Sequence, residues 1–367
     1  MSPRDTALSL WRAGVAAVDG YAATEAALES VAAPDRILAV GKAAGAMARA
    51  ALARFPGVPT LVVTKDGHGD GLPEGVELIE AAHPVPDARS LRGGRALREA
   101  VEAMAPGSDL LLLVSGGASA LAEDPVEGKT LEDLAALNRR LLAQGLDIAA
   151  MNAERRKLSR IKGGGLLSHF RGARVRVLAI SDVPGDDLAV IGSGIGAAPP
   201  APAFDYSAEI VASNAIARAA AAAEARARGI DVLAEEEALH DDLEVLAARI
   251  GARIRAMGTG AMILGGEPTV VLPENPGRGG RNQALALALA REIAETEGIT
   301  LVVGGTDGTD GPTEAAGGIV DGATWGPGAE AALTAADSGS YLEARDALLT
   351  TGPTGTNVMD LLIALRA

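Results

Sequence analysis

The sequence contains no cysteine, which excludes disulfides, thiolate nucleophiles and cysteine-bound metal sites. Aromatic residues are also scarce, with two tryptophans, three tyrosines and three phenylalanines, and this argues against a stacking surface for single-stranded nucleic acid. The formal net charge of −15 disfavours nucleic acid and anionic membranes in the same way. The four histidines show no spacing typical of a zinc site. We therefore expect neither a nucleic-acid nor a membrane partner.

Long hydrophobic runs are absent as well. The aliphatic run at residues 110–114 is far too short to cross a bilayer. Residues 1–33 have the pattern of an amphipathic helix interrupted by charges, which differs from the apolar centre of a signal peptide. These features predict a soluble, cytoplasmic protein. The oligomeric state is left open, with a homodimer as one alternative.

Short apolar runs alternate with helical segments along most of the chain. The runs lie at residues 36–40, 60–63, 76–79, 110–114 and 175–180. This βαβ alternation predicts an α/β fold with a Rossmann-like, mostly parallel sheet whose strands are buried on both faces.

The length of 367 residues favours two domains. We place the N-terminal Rossmann-like domain at residues 1–235 and a smaller α/β domain at residues 236–367, with the active site in the cleft between them. Residues 209–228 and the charged stretch from residue 235 to 257 have helical composition. In the second domain we expect a strand at residues 269–272 and a closing helix from Asn357.

Glycine-containing loops follow the predicted strands, at the edge where open α/β sheets bind ligands. They are Gly41-Lys-Ala-Ala-Gly45, Ser115-Gly-Gly-Ala-Ser119, Ser181-Asp-Val-Pro-Gly-Asp-Asp187 and Gly304-Gly-Thr-Asp-Gly-Thr-Asp-Gly-Pro-Thr313. Glycine lets the main chain approach a phosphate closely, and a following helix adds its N-terminal dipole. The first two loops supply predicted binding residues: Gly41, Ser115, Gly116, Gly117 and Ser119.

The candidate cations lie in glycine-rich loops. Lysine occurs at only five positions, so Lys42 and Lys162, each beside glycines, are candidate ligands of an anion, although a solvated helix-start lysine and a C-capping turn are the structural alternatives. Arg278 and Arg281 lie in Gly277-Arg-Gly-Gly-Arg-Asn-Gln283, before a predicted helix at residues 284–294. The positive helix start and the two arginines predict an anion site there.

Carboxylates in similar loops are candidates for metal binding or proton transfer. Asp182, Asp307 and Asp310 suit Mg²⁺ ligation, a general base or N-capping of a helix, and capping is the strongest alternative for Asp310. Glu267, in Gly265-Gly-Glu-Pro268 after a predicted strand, is a further binding candidate. His83 precedes a proline in a loop, which is more typical of a structural histidine, so we do not include it among the site residues.

Taken together, these motifs resemble the class II glycerate kinases over essentially the whole chain. The resemblance rests on the loops above and on further segments: His83-Pro-Val-Pro-Asp-Ala88, Leu158-Ser-Arg-Ile-Lys-Gly-Gly164 and Thr351-Gly-Pro-Thr-Gly-Thr-Asn357. In that family the second domain is the small C-terminal module called MOFRL. The resemblance implies ATP-dependent phosphorylation of D-glycerate, usually to 2-phosphoglycerate, with Mg²⁺.

By motif, the resemblance makes Lys42 and Arg281 catalytic, with Asp182, Asn282 and Asp307 nearby. Phosphoryl transfer needs positioning and neutralisation of charge, which the loop cations can supply. Whether Asp182 or another aspartate accepts the substrate proton, and whether glycerate is phosphorylated at its 2- or 3-hydroxyl, stay open. An NAD(P)H-dependent hydroxypyruvate reductase is the rival enzyme, although the dinucleotide-binding fingerprint is missing from the sequence.

Overall fold

A computed structural model describes residues 1–143 and 148–367 of the chain. These residues form two compact units. One, called here the parallel-sheet unit, comprises Gly20–Ala212 and Gly355–Asn357. The other, the mixed-sheet unit, comprises Met1–Asp19, Ser213–Thr354 and Val358–Ala367.

Helices and strands alternate through much of the chain. The helices are α1 (Pro3–Ala16), α2 (Gly20–Ala27), α3 (Ala44–Arg54), α4 (Ala88–Glu102), α5 (Ala118–Leu121), α6 (Leu131–Ala143), α7 (Ile148–Lys157), α8 (Gly165–Ser168), α9 (Asn214–Ala227), α10 (Leu243–Ala256), α11 (Arg281–Glu292), α12 (Ala329–Thr334) and α13 (Ser338–Glu343). The strands are β1 (Arg36–Val40), β2 (Thr60–Lys65), β3 (Glu77–Ala81), β4 (Asp109–Val114), β5 (Arg174–Ile180), β6 (Asp205–Ala212), β7 (Val232–Glu237), β8 (Gly260–Gly266), β9 (Ile299–Gly305), β10 (Gly317–Asp321), β11 (Leu348–Leu349) and β12 (Asp360–Arg366).

The parallel-sheet unit is built on a sheet with the order β3-β2-β1-β4-β5-β6, in which all neighbours are parallel. The predicted parallel α/β sheet is therefore confirmed. Apolar side chains of β1 and β4 are buried on both faces, as their continuous apolar runs predict. The chain order reverses between β1 and β4, and this switch point is where doubly wound sheets open a ligand crevice. Val40 and Val114 lie opposite one another at the carboxyl ends of these strands.

The mixed-sheet unit has the strand order β11-β10-β9-β12-β8-β7. Only the β7–β8 pair is parallel among these neighbours. Side chains of the central β12 alternate between two helical layers. Leu361, Ile363 and Leu365 pack with α1 and α9, whereas Leu362 and Ala364 pack with α10 and α11. The N-terminal helix α1 is thus an integral part of this unit's core.

The boundary between the units differs from the predicted one at residue 235. That position lies inside β7, which pairs with β8, so the mixed-sheet unit begins earlier, at Ser213. The first 19 residues also belong to the mixed-sheet unit, because buried Leu10 and Trp11 pack under its sheet. Sequence spacing could not reveal a helix that packs against strands more than 200 positions away.

Four element predictions were wrong. The closing segment after Asn357 is strand β12, because its apolar run is buried on both faces of a sheet and such short runs do not distinguish helix from strand. Residues 209–228 divide into β6, a partly exposed edge strand, and α9. Residues 235–237 are the end of β7. In the predicted strand at 269–272, only a single bridge between Asp242 and Thr269 forms.

Within the described ranges, none of the helices has the length and apolar character that a membrane span requires.

Candidate functional site

The loops after β1 and β4 interlock at the switch point. Gly41 has a φ of +124°, and a methyl group there would lie 2.2 Å from the Ser115 hydroxyl, so only glycine fits. The backbone N–H of Lys42 donates to the Gly116 carbonyl at 2.9 Å, and the N–H of Ala43 donates to Ser115 Oγ at 3.0 Å. These two N–H groups are therefore used within the protein. The glycine serves close packing of the two loops, and the Lys42 side chain is what this loop can offer to a ligand.

Asp182 lies beside Gly116, because β5 neighbours β4 in the sheet. A methyl group on Gly116 would lie 2.0 Å from Asp182 Oδ2 and 2.5 Å from the Asn357 amide nitrogen. Asn357 Nδ2 donates to Asp182 Oδ2 at 3.3 Å. Asn357 is the last residue of a segment on which the family resemblance rests, but no pattern in the sequence indicates that it lies at this carboxylate.

Gly117 is flanked by Lys42 and His83. A methyl group on Gly117 would lie 3.1 Å from Lys42 Cγ and 3.2 Å from the His83 ring. Gly117 has a φ of +82°, so the close approach and the backbone conformation both favour glycine. His83, which its place before a proline did not mark as a site residue, therefore lies next to the candidate lysine.

Lys162 forms a buried ion pair with Glu123. The Glu123 carboxylate also accepts a hydrogen bond from Ser159 Oγ at 2.5 Å and one from the Asp124 N–H at 3.0 Å. Lys162 and Glu123 are 7% and 3% exposed, so each neutralises a charge that would be costly to bury alone. Lys162 therefore has a structural role, the neutralisation of buried Glu123, in addition to any role as a ligand of an anion.

A cavity of about 100 Å³ lies within the parallel-sheet unit next to this ion pair. It brings together Ser119 and Lys162, two residues that the sequence predicted from separate loops. Arg155, on α7, contributes a further cation that no motif in the sequence indicated. The described lining residues are Pro84, Pro86, Ser119, Ala120, Glu123, Leu134, Leu137, Arg155 and Lys162.

In the mixed-sheet unit, Arg281 is the first residue of α11 and is held by two carboxylates. Its Nε donates to Asp360 Oδ2 at 2.7 Å, its Nη2 donates to Asp360 Oδ1 at 3.3 Å, and its Nη1 donates to Glu267. Burial alone would lower the pKa of Arg281, but Asp360 and Glu267 raise it overall, so the guanidinium stays charged. Burial raises the pKa of Asp360, and the Arg281 charge opposes that rise.

Asp310 caps the same helix from a neighbouring loop. Its two carboxylate oxygens accept the backbone N–H groups of Asn282 at 3.1 Å and Gln283 at 2.8 Å. Burial raises the pKa of Asp310 to about 6, although these two hydrogen bonds act in the opposite direction. The protein's own carboxylate therefore lies at the helix start, which is the contact that the capping alternative predicts for Asp310.

Arg278 and Asp307 have different surroundings from Arg281. The exposed Arg278 guanidinium pairs with Glu343, so the two arginines of the glycine-rich loop do not share a binding partner. The Asp307 carboxylate accepts from the Thr309 N–H at 3.0 Å and from its hydroxyl at 3.1 Å. Asn282 is 1% exposed, with its N–H on Asp310. The residues of the predicted anion site thus have protein partners of their own, and the anion site itself stays a prediction.

Among residues 1–143 and 148–367, no three histidine, aspartate or glutamate side chains gather as a preformed metal site. Mg²⁺, however, is commonly held by one or two protein carboxylates together with substrate phosphates and water. Asp182, at a strand end beside a glycine, and Asp307, in a polar loop, are each compatible with that role. Each oxygen of Asp310 already accepts an N–H of the helix, so metal binding there would have to be combined with its capping role.

Comparison with known proteins gives full-length matches. Residues 6–227 match a family model described as a domain of unknown function, DUF4147, and residues 260–360 match the MOFRL family. A D-glycerate 2-kinase of Thermotoga maritima is 36% identical in an alignment that covers 90% of this chain and 91% of that protein. A crystal structure of glycerate kinase from Thermotoga maritima has a TM-score of 0.89 at 33% identity and covers 99% of both chains. A putative hydroxypyruvate reductase of Agrobacterium vitis is 36% identical in an alignment that covers 89% of this chain and 85% of that protein.

Proposed function

This chain belongs to the glycerate kinase family with a C-terminal MOFRL domain, and from that premise we propose that it transfers the γ-phosphoryl group of ATP to the 2-hydroxyl of D-glycerate. The observation that supports the proposal most directly is the position of Lys42. It follows β1 at the switch point of a parallel sheet and lies beside Gly117 and His83. An ammonium group there can neutralise charge on a phosphoryl group during transfer.

Lys42 and Arg281 have different tasks in this proposal. Lys42 is a flexible point charge that can follow the phosphoryl group as its charge shifts. Arg281 is oriented by Asp360 and Glu267 and has further N–H donors, so it can hold a phosphate or carboxylate oxygen in a fixed direction. Its two protein partners keep its charge in place before any ligand arrives.

Asp182 is the proposed acceptor of the proton from the substrate hydroxyl. The Asn357 amide hydrogen bond fixes one of its oxygens. Asp182 or Asp307 would also be the carboxylate that holds Mg²⁺, which when bound supplies neutralisation of the phosphate charge. Gly116 leaves room for Asp182 and Asn357, and Gly117 leaves room for Lys42 and His83.

The test is an assay in which the product is coupled directly to enolase, with ATP, Mg²⁺ and D-glycerate and no mutase. Only 2-phosphoglycerate is a substrate of enolase, so a signal supports both the kinase reaction and phosphorylation at the 2-hydroxyl. A signal that requires added phosphoglycerate mutase would indicate 3-phosphorylation. The absence of ADP formation in the presence of D-glycerate would contradict the kinase proposal.

A second candidate function is reduction of hydroxypyruvate by NAD(P)H. Two relatives from Agrobacterium vitis are named putative hydroxypyruvate reductase, and this favours the second candidate. The strand order of the parallel sheet, which is typical of dinucleotide-binding sheets, favours it as well. The loop after β1 argues against it, because Gly41-Lys-Ala-Ala-Gly45 lacks the spacing of the dinucleotide fingerprint. Oxidation of NADH by hydroxypyruvate without ATP would support the reductase instead.

A further inference from the structure

The residue before Asp360 has a backbone conformation that is unusual for its type. Met359 has a φ of +66°, in the left-handed region, which residues with a long side chain rarely adopt. Such strained positions persist only where their surroundings hold them, and they concentrate at functional sites. Met359 lies directly before Asp360, the first residue of β12 and a carboxylate that holds Arg281. The left-handed residue therefore sets the direction in which β12 presents Asp360 to Arg281.

The carbonyls around Met359 are held by two buried side chains. Asn214 Nδ2 donates to the Val358 carbonyl and to the Asp360 carbonyl, at 3.0 Å each. The Met359 carbonyl accepts from the N–H of Thr306 at 3.1 Å and from its hydroxyl at 2.7 Å. Asn214 thus bridges the carbonyls on either side of the left-handed residue, and Thr306 fixes the one between them.

The next turn of α9 fixes the orientation of the Asn214 amide. Arg218 Nε donates to Asn214 Oδ1 at 2.9 Å. A guanidinium has donors only, so it selects the amide oxygen and turns the NH₂ group toward β12. The buried Arg218 guanidinium lies 3.7 Å from Glu235 and 3.9 Å from Glu237, whose charges balance its own. The amide is therefore held in the orientation that donates to the strand.

Gly265 provides the space that the Asn214 amide occupies. A methyl group on Gly265 would lie 1.8 Å from Asn214 Oδ1. Gly265 pairs with Leu361 of β12, one position beyond Asp360. Two residues further along the same segment is Glu267, the other carboxylate that accepts from Arg281. The segment that supplies one partner of Arg281 therefore also admits the amide that holds the other.

We propose that Asn214 is a positioning residue: its amide keeps Met359 in the left-handed conformation, and this conformation keeps Asp360 on Arg281. The inference rests on the proposed function for the reaction that Arg281 serves. Loss of the amide leaves two buried carbonyls without a donor, so the favourable change for Met359 is relaxation to a negative φ. Asp360 accepts from both Nε and Nη2 of Arg281, and its rotation releases the guanidinium from its fixed direction.

The first test compares Asn214→Ala with Ser213→Ala. Ser213 caps the same helix, because its Oγ accepts from the Ile216 N–H at 3.4 Å. Its substitution weakens the start of α9 and leaves the Asn214 amide in place. We expect Asn214→Ala to lower kcat/KM for D-glycerate at least about tenfold, the scale of buried polar groups left unsatisfied. Ser213→Ala should leave kcat/KM unchanged.

A second substitution separates positioning from a general loss of stability. Met359→Gly, added to Asn214→Ala, removes the steric cost of the left-handed conformation, so Asp360 can stay on Arg281 without the amide. We expect the double variant to regain kcat/KM at least about threefold over Asn214→Ala, because that cost is lifted. It should nevertheless unfold at a lower denaturant concentration, since it also lacks the buried Met359 side chain. A purely structural role for Asn214 predicts that stability and kcat/KM fall together.

Hydrogen exchange of residues 358–362, followed by mass spectrometry, reports on this segment without any turnover. We expect faster exchange there in Asn214→Ala than in wild type or Ser213→Ala. Unchanged kcat/KM in folded Asn214→Ala, or a double variant that regains nothing, would overturn the positioning role. If Asn214→Ala does not fold, Asn214→Asp keeps the side-chain shape and the Arg218 contact but presents an acceptor to the two carbonyls, and it must show the same loss.

The two measurements also separate this inference from the proposed function. If the wild type does not phosphorylate D-glycerate, the proposed function fails, whereas faster exchange confined to Asn214→Ala still supports the hold of Asn214 on β12. Phosphorylation by the wild type, with exchange and kinetics unaltered in Asn214→Ala, rejects the positioning role alone.

Discussion

Asp182 and Asn357 are joined by a hydrogen bond of 3.3 Å across 175 positions of sequence, and Gly116 leaves the space in which they meet. A methyl group at position 116 would overlap the Asp182 carboxylate. The pair therefore depends on the absence of a side chain on the neighbouring strand end.

Gly116→Ala is expected to displace Asp182, lower kcat for D-glycerate phosphorylation at least about tenfold and reduce the free energy of unfolding by about 1–3 kcal/mol. Steady-state kinetics and denaturant unfolding measure the two effects. Gly258→Ala is the control, because a methyl group there meets no atom within 4 Å. Normal activity in Gly116→Ala would mean that Asp182 has no part in the reaction.

Lys42→Ala is expected to lower kcat at least about a hundredfold while the protein stays folded, because the variant lacks a charge that stabilises the transition state. The coupled ADP assay measures turnover, and circular dichroism reports folding. Lys129→Ala removes an exposed lysine and should leave turnover unchanged. A folded Lys42→Ala variant with near-normal kcat would remove Lys42 from the mechanism.

Arg281→Lys is expected to lower kcat/KM for D-glycerate at least about tenfold. One ammonium group cannot reproduce the directed hydrogen bonds to Asp360 and Glu267 and also bind a ligand oxygen in a fixed direction. Arg291→Lys, at the end of the same helix and paired with Glu244, is the matched control. Equal kinetics in the two variants would assign Arg281 a purely structural role.

Asp310 predicts a distinct pH dependence of stability. Its pKa rises from 3.8 to about 6 on folding, so the folded state binds the proton more tightly than the unfolded state. The contribution of Asp310 to the unfolding free energy is therefore fully present below about pH 4 and is lost as the pH rises to about 6, by about 3 kcal/mol.

Asp310→Asn removes this titration. The free energy of unfolding of the wild type and of the variant is measured with denaturant at a series of pH values. The wild-type value minus the variant value should decrease from about pH 4 to about pH 6. Asp360 is present in both proteins, so its own titration cancels to first order. A difference that stays constant over this range would mean that Asp310 ionises as an exposed carboxyl does.

The parallel sheet could be predicted from the sequence, because continuous apolar runs such as β4 indicate buried parallel strands. The loops of the parallel-sheet unit could be predicted too, because the carboxyl ends of parallel strands meet at one edge of the sheet. The partners of Arg281 and Asp182 could not. Asp360 is the first residue of β12, and its contact with Arg281 depends on where that strand is inserted in the mixed sheet, which local periodicity does not encode. Asn357 lies 175 positions after Asp182, and no local pattern indicates that the two meet.

The buried Trp11 indole donates to the Leu361 carbonyl at 3.2 Å, 350 positions later in the chain. On the ribosome the N-terminal helix emerges roughly 20 to 70 s before that strand is synthesised, at typical elongation rates. During this interval its apolar face can pack against α9 once that helix is made, but it lacks the strand β12 that completes its native cover. Newborn chains should therefore depend on chaperones that shield this helix, and translation stalled short of β12 should yield aggregation-prone polypeptide.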